Sequence, residues 1–280
     1  MAQARGRWHY RTHEASHDRR TYREREAHFK QFVPHLKAFF TRDKAHREIP
    51  YRVLFVEQEK GLPFNAGALR NIGFAVARGD VDKASFEAGY TCFHDIDYLP
   101  LSADYTWTDV PAPIAWYGAE TRPVATGATN WRVANSPEGF FGAVVLTPNE
   151  MFSRVNGYSN EYWGWGWQDL DLKARYVASG ITPGRRRGTF LPLDHANRGF
   201  RLDGKPAPIS IVNQRVYDQK WAAGGRTEDD GLSSLRFDIL DRRAIEIAVH
   251  TERPANWEIV TVRLDMQPLP EQLDAVATTR

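Results

Sequence analysis

The chain has 280 residues, 42% of them hydrophobic, and a formal net charge of +2. This suits one sizeable globular core and gives no basis for bulk nucleic-acid binding. A single cysteine, Cys92, excludes an intrachain disulfide and points to a reducing compartment. The start is polar and basic without the apolar core of a signal peptide, and no apolar run reaches the ~18 residues of a membrane span, so none is expected.

Residues 1–21, rich in Arg and His, read as a flexible N-terminus. Phe29, Phe32, Val33, Leu36, Phe39 and Phe40 recur at helical spacing, which predicts an amphipathic helix over 22–40 with Pro34 as a kink point. Residues 51–57 (YRVLFVE) read as a buried strand, 65–77 as a helix, and 89–93 (GYTCF) as a second strand running into Asp95-Ile96-Asp97. Strand, helix and strand in that order predict a βαβ unit of a parallel α/β sheet, whose ligands gather beyond the carboxyl ends of the strands. Further strands are expected at 114–117, 142–146 and 258–264, and a helix at 169–179 closed by Gly180. Residues 184–188 (GRRRG) read as a basic loop and 267–280 as a loose tail. With no repeat and no low-complexity linker, 22–266 reads as one domain.

Three segments offer chemistry. Asp95 and Asp97 close a strand, where carboxylates suit a hard divalent cation; spacing of two sends one toward a metal and the other toward a second ligand. The pair equally suits loop caps. In 162–171 (YWGWGWQDLD), three tryptophans interleaved with two glycines suit a loop that presents aromatic faces to a ligand. Asp169 then opens a helix, where the positive helix end favours its ionised form and aromatic neighbours oppose it. That balance suits a carboxylate base; a plain helix-start acid fits the same position. His195, after Leu193 and Asp194, is a candidate metal ligand, although it is one of nine histidines.

Taken in order, these segments resemble the β-1,4-galactosyltransferase family. Residues 64–74 (FNAGALRNIGF) resemble its FNRA-x-L-x-N-x-GF segment, and 91–100 (TCFHDIDYLP) its strand ending in DVD-x-x-P. Phe140-Phe141-Gly142-Ala143 resembles its YFGG turn; 156–171 its NGF-x-N-x-YWGWGGEDDD run; 230–235 (DGLSSL) its DGLNSL; and 23–29 its R-x-R-x-EHL helix start. The similarity covers roughly residues 22 to 250, and the WGWG segment with its following Asp is the most specific part.

The resemblance implies an α/β fold, a single GT-A-like (nucleotide-diphospho-sugar transferase) domain with a mainly parallel central sheet. It implies Mn²⁺ or another divalent cation held by Asp97 and His195. It places Arg23, Arg25, Asn65, Asp95, Phe140 and Trp165 at a UDP-sugar donor, and Gln168, Asp169 and Arg215 at a glycan acceptor. Asp169 matches the catalytic base of an inverting transfer, and residues 193–213 match a loop that folds over the bound donor. The implied activity moves a hexose, most simply galactose, from a UDP-sugar to a hydroxyl. A transfer of N-acetylgalactosamine or another UDP-sugar, or a binding protein without catalysis, are the alternatives. Phe140 keeps the aromatic bulk of the family's tyrosine without its hydroxyl, which favours galactose over the N-acetyl donor without excluding the latter.

The sequence departs from the family pattern at several points. Gln168 replaces Glu, Leu170 replaces Asp, Ala66 replaces the Arg of FNRA, and Pro192 stands where a Met ligand is frequent. Asp194 or water is left to complete the metal's ligands. Without a membrane anchor or paired cysteines, a cytoplasmic enzyme of bacterial type is expected, with the inner face of a membrane as an alternative location.

Overall fold

A computed structural model describes residues 25–42, 44–47, 49–114, 141–186, 188–193, 205–245 and 256–278. The first helix, α1 (Glu26–Arg42), contains Pro34 and buries Phe32, Leu36, Phe39 and Phe40. A single turn, α2 (Lys44–Arg47), leads to strand β1 (Arg52–Gln58). Helices α3 (Ala66–Gly79) and α4 (Lys83–Glu87) follow, then β2 (Tyr90–His94), β3 (Tyr98–Ala103) and the short β4 (Ala112–Pro113). Beyond residue 140 come β5 (Val144–Pro148), α5 (Asn149–Arg154), α6 (Gln168–Ala178) and β6 (Gly188–Pro192). The chain ends with α7 (Pro208–Ala222), β7 (Phe237–Ala244), β8 (Asn256–Leu264) and α8 (Pro270–Thr278).

The strands form three hydrogen-bonded groups: β1-β8-β7, β2-β5-β4 and β3-β6. The parallel pairing predicted for β1 and β2 is made by β1 with β8 instead, from Arg52 opposite Asn256 to Gln58 opposite Val262. The other pairings are antiparallel. Strand β5 is buried along its whole length, as its apolar sequence VVLTP demands. The core lies on either side of these strands. Phe32, Leu36 and Phe40 of α1 pack with Phe55, Val144, Leu146 and Trp257 on one side. Phe74, Phe152, Tyr158, Leu172 and Tyr176 form the other. Ala68, Leu69 and Ile72 of α3 join Val260 and Val262 of β8.

Two expectations change here. The tail expected from Gln267 instead forms α8 over Pro270–Thr278. Ala275 of α8 packs with Ile209 and Val212 of α7, and Gln272, 1% exposed, donates to Glu161 O at 2.8 Å and to Asn213 Oδ1 at 2.9 Å and accepts from the Leu269 N–H at 3.0 Å. The C-terminal part of the expected lid, 208–213, is the first part of α7, with Ile209, Val212 and Asn213 buried. An apolar face met by α8 outweighs the prolines and glycines that suggested a loop.

Candidate active site

The ends of β2, α3 and α6 meet at a cavity of about 860 Å³ whose walls include Arg25, Arg70, Asp95, Asp97, Trp165, Gln168 and Asp169. Asp95 and Asp97 sit in the turn after β2. His94, half-buried, holds that turn: its Nδ1 lies 2.9 Å from Asp95 O and its Nε2 2.9 Å from Tyr105 Oη. Burial pushes the His94 pKa down to about 4, so the ring is neutral near pH 7. The Asp95 N–H donates to Ala143 O at 2.8 Å, which joins the aspartate turn to the Phe141-Gly142-Ala143 turn. Ala143 itself sits at φ 56, a left-handed conformation unusual outside glycine.

Asp169 lies in the first turn of α6, as expected, and the loop before it explains its glycines. Gly164, Gly166 and Trp167 have φ of 81, 90 and 77. Side chains at 164 would also strike Ile209, with a Cβ 2.7 Å from Ile209 Cγ1. Gln168 Nε2 lies 3.4 Å from Asp169 Oδ2, so an amide stands beside the carboxylate where the family pattern has an acid. At Gly142 an added Cβ would lie 2.5 Å from Asp169 Oδ2, so the turn has room for the carboxylate only because it carries glycine.

The residue that links these parts is Arg70 of α3, which reading the sequence missed. Its Nη2 donates to Asp95 Oδ1 at 2.6 Å and its Nη1 to Asp169 Oδ1 at 2.8 Å. Its guanidinium lies 5.0 Å from the centroid of the Tyr158 ring. Burial raises the Asp95 pKa to about 6 and raises that of Asp169, while Arg70 works the other way on both. The available signal was an arginine at a position that helical spacing assigns to a largely buried face; a buried arginine calls for carboxylate partners.

Asp97, 7% exposed, meets the Arg25 guanidinium at 3.3 Å. Asp97 lines the cavity, and a carboxylate is the donor type that a hard divalent cation takes. The Asp97 carbonyl accepts from the Leu193 N–H at 2.6 Å, so Leu193, just past the end of β6, lies beside Asp97. Asp194, His195, Arg23 and Phe140 themselves lie outside the described residues. Among the described residues no group of three or more His, Cys, Asp or Glu side chains forms a metal site.

Two expected contacts are placed elsewhere. Asn65 is fully buried and serves the scaffold: its Oδ1 accepts from the Ala68 N–H at 2.9 Å as the N-cap of α3, and its Nδ2 donates to Asn160 O at 2.7 Å. Both ends of the amide are thus engaged inside the protein, and Asn65 is not among the residues that line the cavity. Arg215 lies on α7 outside the cavity wall, 57% exposed and 3.4 Å from Glu271 of α8, so it is not brought to the acceptor side of this site. Trp165 does line the cavity and also packs against the α7–α8 cluster.

Behind the site, the remaining motif residues form a buried polar frame. Asn71 Nδ2 donates to Tyr158 O and Asn160 Oδ1, and the Asn160 N–H donates to Asp230 Oδ1. Arg175, 1% exposed, donates to Asp171 Oδ2 at 2.5 Å and Asp230 Oδ2 at 2.6 Å, and Lys220 reaches Asp230 at 2.5 Å. This frame fixes α3 and α6, and hence Arg70 and Asp169, relative to one another.

Comparison with known proteins places the chain in a family. Residues 6–108 match the family model for the N-terminal region of glycosyl transferase group 7, and 122–196 match a model described as the N-terminal domain of galactosyltransferase. Human β-1,4-galactosyltransferase 4 is 32% identical over 229 residues, covering 78% of this chain and 57% of that protein. Drosophila melanogaster β-1,4-galactosyltransferase 7 is 26% identical over 223 residues, covering 78% of this chain and 61% of that protein. The chain thus spans about 57 to 61% of the length of these relatives. The crystal structure of the Drosophila β-1,4-galactosyltransferase 7 catalytic domain with xylobiose superimposes with a TM-score of 0.61 at 24% identity, over 92% of this chain and 95% of that one. A mutant of that protein in complex with manganese, UDP-Gal and xylobiose gives a TM-score of 0.62 at 24% identity, over 88% and 92%.

These likenesses define the fold as GT-A, the α/β architecture of galactosyltransferase catalytic domains. The chain belongs to the β-1,4-galactosyltransferase family, glycosyltransferase group 7.

Proposed function

We propose that this protein transfers galactose from UDP-galactose to a hydroxyl of a glycan acceptor, with inversion at the anomeric carbon and dependence on Mn²⁺ or a similar cation. The observation that carries the reading is the convergence of Asp95, Asp97 and Asp169 on one cavity, in a chain of this family. A structural neighbour that holds manganese, UDP-Gal and xylobiose supports the choice of cation, donor and acceptor class.

In this reading Asp169 accepts the proton of the acceptor hydroxyl as that oxygen attacks the anomeric carbon. Asp95 orients the donor sugar. Arg25, now paired with Asp97, turns with Arg23 to the nucleotide. Asp97 and His195 would hold the divalent cation, which when bound supplies positive charge to the departing diphosphate. Trp165 and its loop exclude water from the donor. One direct displacement converts an α-linked donor into a β-linked product. The free Cys92 is consistent with work in a reducing compartment, and a cytoplasmic location belongs to this reading.

The test is UDP release with UDP-galactose and a panel of glycan acceptors, with Mn²⁺ and with chelator. Acceptor-dependent release with Mn²⁺ that stops on chelation, and a β-linked product by NMR, are expected. Full activity in chelator rejects the metal role; tight UDP binding without any transfer favours a non-catalytic relative. Phe140 is tested in the same assay, since Phe140→Leu is expected to raise the use of UDP-N-acetylgalactosamine relative to UDP-galactose. Discrimination by bulk alone is modest, about 10- to 200-fold.

A further inference from the structure

Arg70 is absent from the reading above, yet it touches both carboxylates that the reading places at donor and acceptor. We propose that Arg70 is a positioning residue of the transfer reaction: its fork holds Asp95 and Asp169 in one constellation. The proposal rests on Asp169 being the base.

The geometry supplies the argument. The two nitrogens of one guanidinium reach two carboxylates that lie 74 positions apart in sequence, at 2.6 and 2.8 Å. The side chains of Arg70, Asp95 and Asp169 are 13%, 38% and 25% exposed, and all three line the cavity. One guanidinium thus ties a carboxylate of the turn after β2 to a carboxylate of the first turn of α6, and neither can shift without straining the bond to the other. In the transfer step the acceptor O–H bond breaks and its proton goes to Asp169, the oxygen bonds to the anomeric carbon, and the bond from that carbon to the diphosphate breaks to release UDP. Throughout, Arg70 remains bound to Asp95.

Arg70 is also held in advance of substrate. Its helix is capped by Asn65 and fixed one residue further on by Asn71, which donates to Tyr158 O at 2.8 Å. The helix backs so closely on the next segment that a Cβ at Gly67 would lie 2.4 Å from Ser159 O. The guanidinium rests over the Tyr158 ring, a face that attracts cations. The family segment FNRA carries its arginine at the position of Ala66, four residues and one helical turn before Arg70. Ala66 and Arg70 line the same cavity, so this chain presents a cation from the same helix face one turn later.

The experiment compares Arg70→Ala, Arg70→Lys and Asp169→Asn, reading turnover at saturating UDP-galactose and acceptor, and binding of UDP with Mn²⁺ by calorimetry. Arg70→Ala is expected to lose at least ~100-fold in turnover, the effect of a reacting group displaced by about 1 Å, while UDP binding changes little. Guanidinium chloride below denaturing concentration should restore turnover saturably, and urea, of similar shape but neutral, should not. Arg70→Lys keeps the charge without the fork and should fall between parent and Arg70→Ala. Adding Ala66→Arg to Arg70→Ala should recover part of the loss. Turnover of Arg70→Ala near the parent, or a loss that neither guanidinium nor Ala66→Arg relieves, overturns the proposal. Should Arg70→Ala not fold, Arg70→Lys decides: parental turnover overturns the proposal, and an intermediate value with normal UDP binding supports it. An active Asp169→Asn would instead refute the transfer mechanism on which the proposal stands.

Discussion

Gly142→Ala is the smallest change that tests the site, because it adds one methyl group at a position where the backbone permits it. Gly142 does not use a positive φ, so alanine brings no backbone strain. The new Cβ would lie 2.5 Å from Asp169 Oδ2 and 2.9 Å from its Cγ. Ordinary contact begins near 3.4 Å, so the carboxylate must retreat by about 0.9 Å. It is tied at 2.8 Å to Arg70 on its other oxygen, and the retreat therefore strains or breaks that bond. A displacement of about 1 Å in a reacting group costs on the order of 100-fold in rate, whereas a single added methyl in a packed region costs about 1–3 kcal/mol of stability. The expected result is a fall of ~100-fold in turnover by UDP release, with a folded protein and UDP binding within a few-fold of the parent. Turnover within threefold of the parent would refute the reasoning, because Asp169 would then not need the place it occupies.

The remaining predictions concern the base, the metal, the pH profile and the frame. Asp169→Asn keeps the shape and removes the proton acceptor, so a loss of at least ~100-fold in turnover with UDP binding retained is expected; normal turnover would leave Asp169 as a helix-start acid. Asp97→Ala should weaken the response to Mn²⁺, read as a rise in the Mn²⁺ concentration needed for half-maximal activity, and an unchanged Mn²⁺ titration would remove Asp97 from the metal site. Burial raises the Asp169 pKa and Arg70 opposes the rise without cancelling it; because the base must be ionised, kcat/KM should fall as pH drops through that raised value, so the acid limb lies above the ~3.9 of an ordinary aspartate. An acid limb at or below that value contradicts the assignment. Arg175→Met leaves buried Asp171 and Asp230 with one fewer cation, at a cost of about 3–5 kcal/mol or roughly 6–20 °C in melting temperature. Adding Asp171→Asn should recover part of it, and a shift under ~2 °C would show that Lys220 alone balances both acids.

Much of this protein was legible in its sequence because the signals are local. Apolar spacing placed α1, α3 and α6, the run YRVLFVE placed β1, and Gly180, at φ 73, closes α6 where the pattern predicts. Asp95 and Asp97 at a strand end and Asp169 at a helix start follow from the same local rules, since side-chain periodicity and helix caps depend on residues a few positions apart. Strands β3, β6 and β7 escaped that reading. Residues 237–244 (FDILDRRA) carry four charges and are mostly exposed, since β7 pairs on one side with β8 and presents little to the core.

What the sequence by itself determined is therefore the identity and order of α1, β1, α3, β2, β5, α6 and β8, and which of them lead into carboxylates. Only the tertiary structure decided which groups meet. It paired β1 with β8, some 204 residues away, instead of with β2. It turned Asn65 inward to cap a helix and placed Arg215 on an outer helix face. It set Arg70 between Asp95 and Asp169. Periodicity reports whether a side chain faces the core, but not which distant side chain waits there. That partner is selected by the packing of whole helices against the sheets, where a buried guanidinium is stable only if carboxylates from other elements arrive to meet it.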